Sequence, residues 1–192
     1  MPPVRTTYLE LTDPRTIVAG RTPAPDAALV RVEEPWPELS RFYYTAIGGR
    51  WHWTDRLAWD WETWHAYLAS PGVETWSLAV GGLPAGWCEL NADPDGSVEV
   101  GYFGLIGRYS GRGLGGWFLE RMLRRGFERG RRVWVHTCSL DGPAALANYL
   151  ALTGVVGKDQ FRLLGGLGSG AFVGESVVAC LPEPCERGDE VA

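Results

Sequence analysis

Lysine is almost missing: Lys158 stands alone among eighteen basic residues, and arginine carries the rest of the positive charge. Acids still outnumber bases by 23 to 18, for a net charge of -5. A duplex partner demands a basic face, so no nucleic acid is expected among the partners. Long apolar runs are missing too. None approaches the ~20 residues that cross a bilayer, so no membrane span is expected. The opening MPPVRTTYLELTD lacks the apolar core of a signal peptide, and a cytoplasmic protein is expected. Of the four cysteines, Cys88, Cys138, Cys180 and Cys185, none forms a CxxC pair and only Cys138 lies near a histidine, His136. That spacing argues against a zinc site and for reduced thiols; no metal is expected. No internal repeat is present.

Tryptophan and glycine are plentiful, with ten and 26 copies. Eight of the tryptophans precede Cys88, a density that suits a core and can also line a pocket. Along the chain, TTYLELT and ALVRVEE alternate as strands do. PWPELSRFYYTAIGG and DWETWHAYLASPG carry helix start and stop signals, the second capped by Asp60. VETWSLAV, AGWCELNA and VEVGYFGLI are three strand-like runs joined by the turn sequences GGLP and DPDG, an antiparallel meander. A helix follows from about Leu114 to Arg129, then the strand RRVWVHTCS. The helix DGPAALANYLAL comes next, with Asp141 as its expected N-cap. A strand, a turn, a helix and a strand in succession imply one parallel pair. The fold class is therefore α+β: a mixed, mostly antiparallel sheet flanked by helices. One domain is expected over 1–181, atypical from about 152, where seven glycines fall between 154 and 174. Short strands are expected near 161–164 and 176–181, and a disordered acidic tail over 182–192.

The turn at 107–116 reads GRYSGRGLGG and sits between a strand and a helix. Such a turn aims free backbone N–H groups and the positive end of a helix dipole at one spot. Glycine lets a ligand touch the backbone there, and Arg108 and Arg112 add charge, a combination that suits a pyrophosphate. A Walker loop is excluded, because Leu-Gly-Gly-Trp stands where Lys-Ser or Lys-Thr would be needed. A Rossmann turn would come early in a parallel chain, whereas this one follows a meander.

GRYSGRGLGGWFLERML resembles the pyrophosphate turn of the GNAT superfamily, the acetyl-CoA-dependent N-acetyltransferases, whose pattern is Gln/Arg-x-x-Gly-x-Gly/Ala. VWVHTCSLDGPAALANYL is similar to the strand and tyrosine-bearing helix that follow in that family. The resemblance covers roughly 7–150 and is most specific over 98–149. Aligned on the helix start, its two glycines are Gly113 and Gly115, flanking Leu114, and Ser110 stands at the Gln/Arg position. Aligned one step earlier, Arg108 stands there, with Gly111 and Gly113. The first alignment keeps the helix its natural length and is preferred; Arg108 or Arg112 then replaces the lost anchor. The family's asparagine, seven residues before the tyrosine, corresponds to Gly142, with Asp141 adjacent. The agreement ends at about Leu152.

What the resemblance implies is direct transfer of an acetyl group from acetyl-CoA to an amine of a small molecule or peptide. Phe103, Gly104 and Leu105 fall where the family's strand lends backbone groups to pantetheine and the thioester oxygen, Gly104 being suited to a bulge. The cofactor-binding set is then residues 103–105 with Arg108, Ser110, Gly111, Arg112, Gly113, Leu114, Gly115 and Asp141. Tyr149 matches the tyrosine that protonates the leaving thiolate. Glu99 is the candidate base, on a face that period-two spacing shares with Gly101, Phe103 and Leu105. His136 as base and Cys138 as acyl carrier are weaker alternatives. GGRWHWTDR is the expected lip for the acceptor, with Trp51 and Trp53 sandwiching it and Asp55 holding an ammonium. A catalytically impaired acyl-CoA-binding module on the same fold is the rival reading. Pairing of protomers as a homodimer is left open.

Overall fold

The computed structural model describes residues 4–21 and 25–152, and the backbone of 162–163. Its strands are β1 (Thr6–Leu11), β2 (Ala27–Val32), β3 (Val73–Val80), β4 (Leu83–Ala92), β5 (Ser97–Leu105), β6 (Arg132–Cys138) and β7 (Arg162–Leu163). The helices are α1 (Pro37–Gly48), α2 (Trp61–Leu68), α3 (Leu114–Arg129) and α4 (Ala145–Ala151). The strands form one sheet in the order β2-β3-β4-β5-β6-β1-β7. Every pairing is antiparallel except β5 with β6. The α+β class and the single parallel pair agree with the sequence reading.

Local chemistry explains the joints. The β3–β4 hairpin turns on Gly81 and Gly82, both at positive φ, which glycine adopts without a steric penalty. Asp60 caps α2 through its carboxylate, which accepts from the Thr63 N–H at 2.8 Å. α4 begins at Ala145 rather than at Asp141. The Asp141 carboxylate instead accepts from the Thr137 hydroxyl at 2.7 Å and the Cys138 N–H at 2.8 Å. Those bonds close the turn leaving β6, so the helix starts one turn later.

Each face of the sheet has its own core. Beneath α3 and α4, the side chains of Leu114, Phe118, Leu119, Met122 and Leu123 meet Leu9, Val98, Val100, Val133 and Val135. Each such burial contributes roughly 1.5–3 kcal/mol. Under α1 and α2 the core is aromatic, built on Tyr43, Tyr44, Trp64 and Trp87. β1 does not join β2; it crosses to the far side and pairs with β6. On that far side the α1 and α2 face of the sheet carries Tyr8, Trp134 and His136, whose rings lie against one another. No helix among the described residues is long and apolar enough to cross a membrane. The expected strand at 176–181 and the tail at 182–192 lie outside the described residues; β7 falls within the strand expected near 161–164.

Candidate active site

The parallel pair is short. β5 and β6 are in register only at Ser97 with Arg132, Val98 with Val133 and Glu99 with Trp134. β5 then runs on to Leu105 and β6 to Cys138 without pairing. A parallel ladder that ends while both strands continue leaves a wedge between them, edged by unpaired backbone groups.

At the far end of β5 the chain makes a short 3-10 turn, Gly107–Tyr109, and then enters α3. Gly113 caps α3 at φ 79°, and no side chain caps the helix. Gly111, at φ 75°, has open space where a Cβ would stand. Among the described residues, no side chain or loop carbonyl accepts the N–H groups of 111–116. Tyr109 is buried beneath the turn, and the guanidinium groups of Arg108 and Arg112 lie 5.3 and 5.6 Å from its ring centre. Arg50, from the end of α1, reaches Gly107, and Arg21 reaches Gly113. Unaccepted amides, a positive helix terminus and the guanidinium groups of Arg50, Arg108 and Arg112 are chemistry that can hold an anion such as a diphosphate.

A bulge sets the faces of β5. Glu89 pairs with Tyr102 and Leu90 with Val100, so Gly101 is the extra residue. A Cβ on Gly101 would stand 2.6 Å from the Asn91 amide nitrogen, so a larger residue there would push the Asn91 side chain aside. The bulge reverses the alternation: Glu99 and Tyr102 face α1 and α2, while Phe103 meets Phe118 of α3. Glu99 therefore does not share a face with Phe103 and Leu105, and the bulge lies at Gly101 rather than Gly104. Gly104 is tight for another reason, since a Cβ there would fall 2.4 Å from the Ile47 side chain.

On the α1 and α2 face, Glu99 accepts a hydrogen bond from His136 across the mouth of the wedge, Oε1 to Nδ1 3.2 Å. That bond raises the His136 pKa above its ordinary value, outweighing partial burial, which lowers it. Asp55 accepts from the Tyr44 hydroxyl at 2.6 Å and from that of Tyr102. Next to it, Arg56 is buried and donates to Glu89 at 2.7 Å, with its guanidinium 4.1 Å from the Tyr67 ring centre and 4.3 Å from that of Tyr102. Glu89 is wholly buried; burial pushes its pKa up, and its Oε1 has no hydrogen-bond partner among the described residues. On the other face, Tyr149 sits in the core 9% exposed, near Leu9, Leu123 and Val133. Burial raises its pKa, with the Asp141 and Cys88 side chains close enough to add to the effect.

A family model described as the acetyltransferase (GNAT) family matches residues 33–154. The chain belongs to that family. Among solved structures, a GCN5-related N-acetyltransferase from Kribbella flavida is similar at 18% identity, with a TM-score of 0.57 over 84% of this chain and 56% of that one. Another from Sphaerobacter thermophilus matches at 18% identity and a TM-score of 0.61, over 78% of this chain and 48% of its own length. An aminoglycoside acetyltransferase from an uncultured soil metagenomic sample matches at 11% identity and a TM-score of 0.58, over 74% of this chain and 97% of that one. The chain thus spans about half the length of the first two, and at these identities the likeness is one of fold. No curated protein sequence matches the chain significantly.

Within this GNAT frame most of the residues singled out in the sequence gather at the wedge or at the turn beyond it. Ser110, Gly111, Arg112, Gly113, Leu114 and Gly115 form the turn and the first residues of α3, with Arg108 beside them. The helix starts at Leu114, as the alignment on Gly113 and Gly115 requires. Asp141 is spent on its own strand end, as described. Trp51 and Trp53 do not make two matched walls. Trp53 packs edge-on against Tyr102 and so close to Gly48 that a Cβ there would lie 2.3 Å from its ring. Trp51 leaves that cluster and lies over Gly142, where a Cβ would be 3.1 Å from its ring, so it spans from the α1–α2 loop to the start of the α4 segment. Cys138 lines a cavity of about 270 Å³ with Arg5, Thr7, Asp141 and Leu146. Sequence reasoning missed the Arg56–Glu89 pair, whose partners are 33 residues apart with no motif joining them. It also missed Arg50 beside Gly107 and the Arg21 stem beside Gly113, for the same reason.

Proposed function

We propose that this GNAT acetyltransferase moves an acetyl group from acetyl-CoA directly to the nitrogen of a small-molecule or peptide amine. The observation that carries this reading is the wedge between β5 and β6, running from Glu99 to the unaccepted amides at 111–116. Those amides, with Arg108 and Arg112, hold the diphosphate, and the backbone of 103–105 lines the path of pantetheine towards the split. A backbone N–H along that edge polarises the thioester carbonyl. The amine enters from the α1 and α2 side, past Trp51, with Asp55 available to a cationic group on the acceptor. Nitrogen attacks the thioester carbon, a C–N bond forms and the C–S bond breaks. The nitrogen gives its proton to the Glu99–His136 pair. Tyr149, kept protonated by burial, gives its proton to the departing sulfur. Amine and thioester thus become amide and thiol, with acid and base on opposite faces of the sheet.

Two neighbours illustrate the acceptor range of the fold: the aminoglycoside acetyltransferase above, and a ribosomal-protein-S18-alanine N-acetyltransferase from Escherichia coli, 17% identical with a TM-score of 0.51. Small-molecule and peptide amines are accordingly both carried as classes. The free thiol of Cys88 fits a cytoplasmic location.

Purified protein is expected to consume acetyl-CoA with at least one member of a panel of aromatic, aliphatic and peptide amines. Tyr149→Phe is expected to lower kcat about 10²-fold while leaving acetyl-CoA affinity unchanged. Wild-type kcat in that variant across the pH range removes Tyr149 from the reaction. A binding module without turnover is the second reading, favoured by Ser110 at the family's Gln/Arg position. Calorimetric binding of acetyl-CoA with no product from any amine selects it.

A further inference from the structure

We infer that His136 is the catalytic base of this site and that Glu99 is a positioning residue acting through it. The inference rests on the acetyl-transfer reading above and assigns the proton to one atom. Glu99 is the last residue of β5 in register with β6, opposite Trp134. His136 lies two residues further along β6, on the same face, where the strands have already parted. The imidazole therefore stands at the mouth of the wedge, with the carboxylate behind it. Exposure agrees: the His136 side chain is 45% exposed and that of Glu99 only 19%.

The bond between them decides the tautomer. An ionised carboxylate can only accept, so the 3.2 Å contact puts a proton on Nδ1 and leaves the Nε2 lone pair free in the neutral ring. Tyr8 from β1 and Trp134 hold the ring, at centroid distances of 5.8 and 6.2 Å. The groups that bear on it are Glu99 from β5, Asp141 from the β6–α4 turn and Asp55 from the α1–α2 loop, with Tyr8 and Trp134 neutral beside it. On the same face beyond Trp134, Arg132 is paired with Glu10. Three carboxylates favour the imidazolium, so the ring holds the proton it receives. In the transfer step Nε2 takes the proton from the attacking nitrogen as the C–N bond forms, and releases it to solvent after the amide has left. The carboxylate holds the ring and stabilises its positive charge without being protonated itself. Its removal deprives the imidazolium of its nearest counter-charge and lowers the His136 pKa.

Two measurements test this. The first follows the ring nitrogens of His136 by NMR across pH in the wild type and in Glu99→Gln. The second records kcat/KM against pH for the wild type, Glu99→Gln and His136→Gln with the amine the panel selects. The neutral ring is expected to carry its proton on Nδ1. Glu99→Gln is expected to move both the NMR midpoint and the acid limb of kcat/KM to lower pH. His136→Gln is expected to abolish that limb and cost about 10²-fold. A neutral ring protonated on Nε2, or an NMR midpoint unmoved in Glu99→Gln, overturns the inference. So does a profile in which Glu99→Gln loses the limb and His136→Gln keeps it, with acetyl transfer intact and Glu99 as its base. Absence of turnover with every amine overturns the transfer reading itself, and is told apart because the NMR titration does not depend on it.

Discussion

Arg56→Met is expected to cost about 3–5 kcal/mol of folding stability at neutral pH, the loss typical of breaking a buried ion pair from one side. Glu89 is fully buried, and among the described residues Arg56 is its one charged partner, at 2.7 Å. Among those residues one of its oxygens already lacks a hydrogen bond. Without the guanidinium, the Tyr67 hydroxyl at 3.1 Å is all that remains on the other oxygen. The pH dependence follows from the direction of the Glu89 shift. Burial raises its pKa in the fold above that in the unfolded chain, and losing Arg56 raises it further. The folded state then binds the proton more tightly, so the penalty is full above the folded pKa and is relieved as pH falls through it. Urea unfolding of Arg56→Met at pH 7 and pH 5 should show a smaller deficit at the lower pH. Adding Glu89→Leu should recover most of the loss, because an apolar replacement leaves no charge behind. Tyr67 then keeps Asn91 as its acceptor at 3.0 Å. A single-variant deficit below about 1 kcal/mol, or one that grows on acidification, contradicts this account.

Gly113→Val is expected to weaken acetyl-CoA binding at least about 100-fold, a loss near 2.7 kcal/mol. Gly113 caps α3 at φ 79°, where a β-branched residue is strongly disfavoured. The chain there must either strain or swing its amides away from the point on which 111–116 converge. Strain alone lowers stability without touching a ligand, so a matched control is needed. Gly96 has φ 83° in the β4–β5 hairpin, and the nearest atoms to a Cβ there belong to the Arg131 side chain, at 3.6 Å and beyond. Gly96→Val should therefore lower the melting temperature comparably while binding acetyl-CoA like the wild type. Calorimetry at a temperature where both variants are folded reads the difference. Equal affinities for the two variants remove the α3 terminus from the binding site.

Much of the architecture was legible because its signals are local. Alternation marks β3, β4 and β5, paired glycines mark the β3–β4 hairpin, and Asp60 announces α2. The turn before α3 was readable because neighbouring residues make it, and an anion site built from successive amides needs no distant partner. The Glu99 face was misjudged because one extra residue, Gly101, reverses a period-two pattern without changing composition. Asp141 was misplaced because a carboxylate next to a helix start can also bind the strand behind it, and only the fold shows which N–H lies nearer.

By itself, then, the amino-acid order determined the strands and helices and the cationic glycine turn, since each depends on contacts within a few residues, and the succession of strand, helix and strand implied the single parallel pair. Only the tertiary structure decided what meets across the sheet: β1 beside β6, Arg56 on Glu89, Trp51 over Gly142 and His136 on Glu99. Those encounters join residues from 33 to more than a hundred positions apart, and their distances are set by how the whole core closes rather than by any local preference.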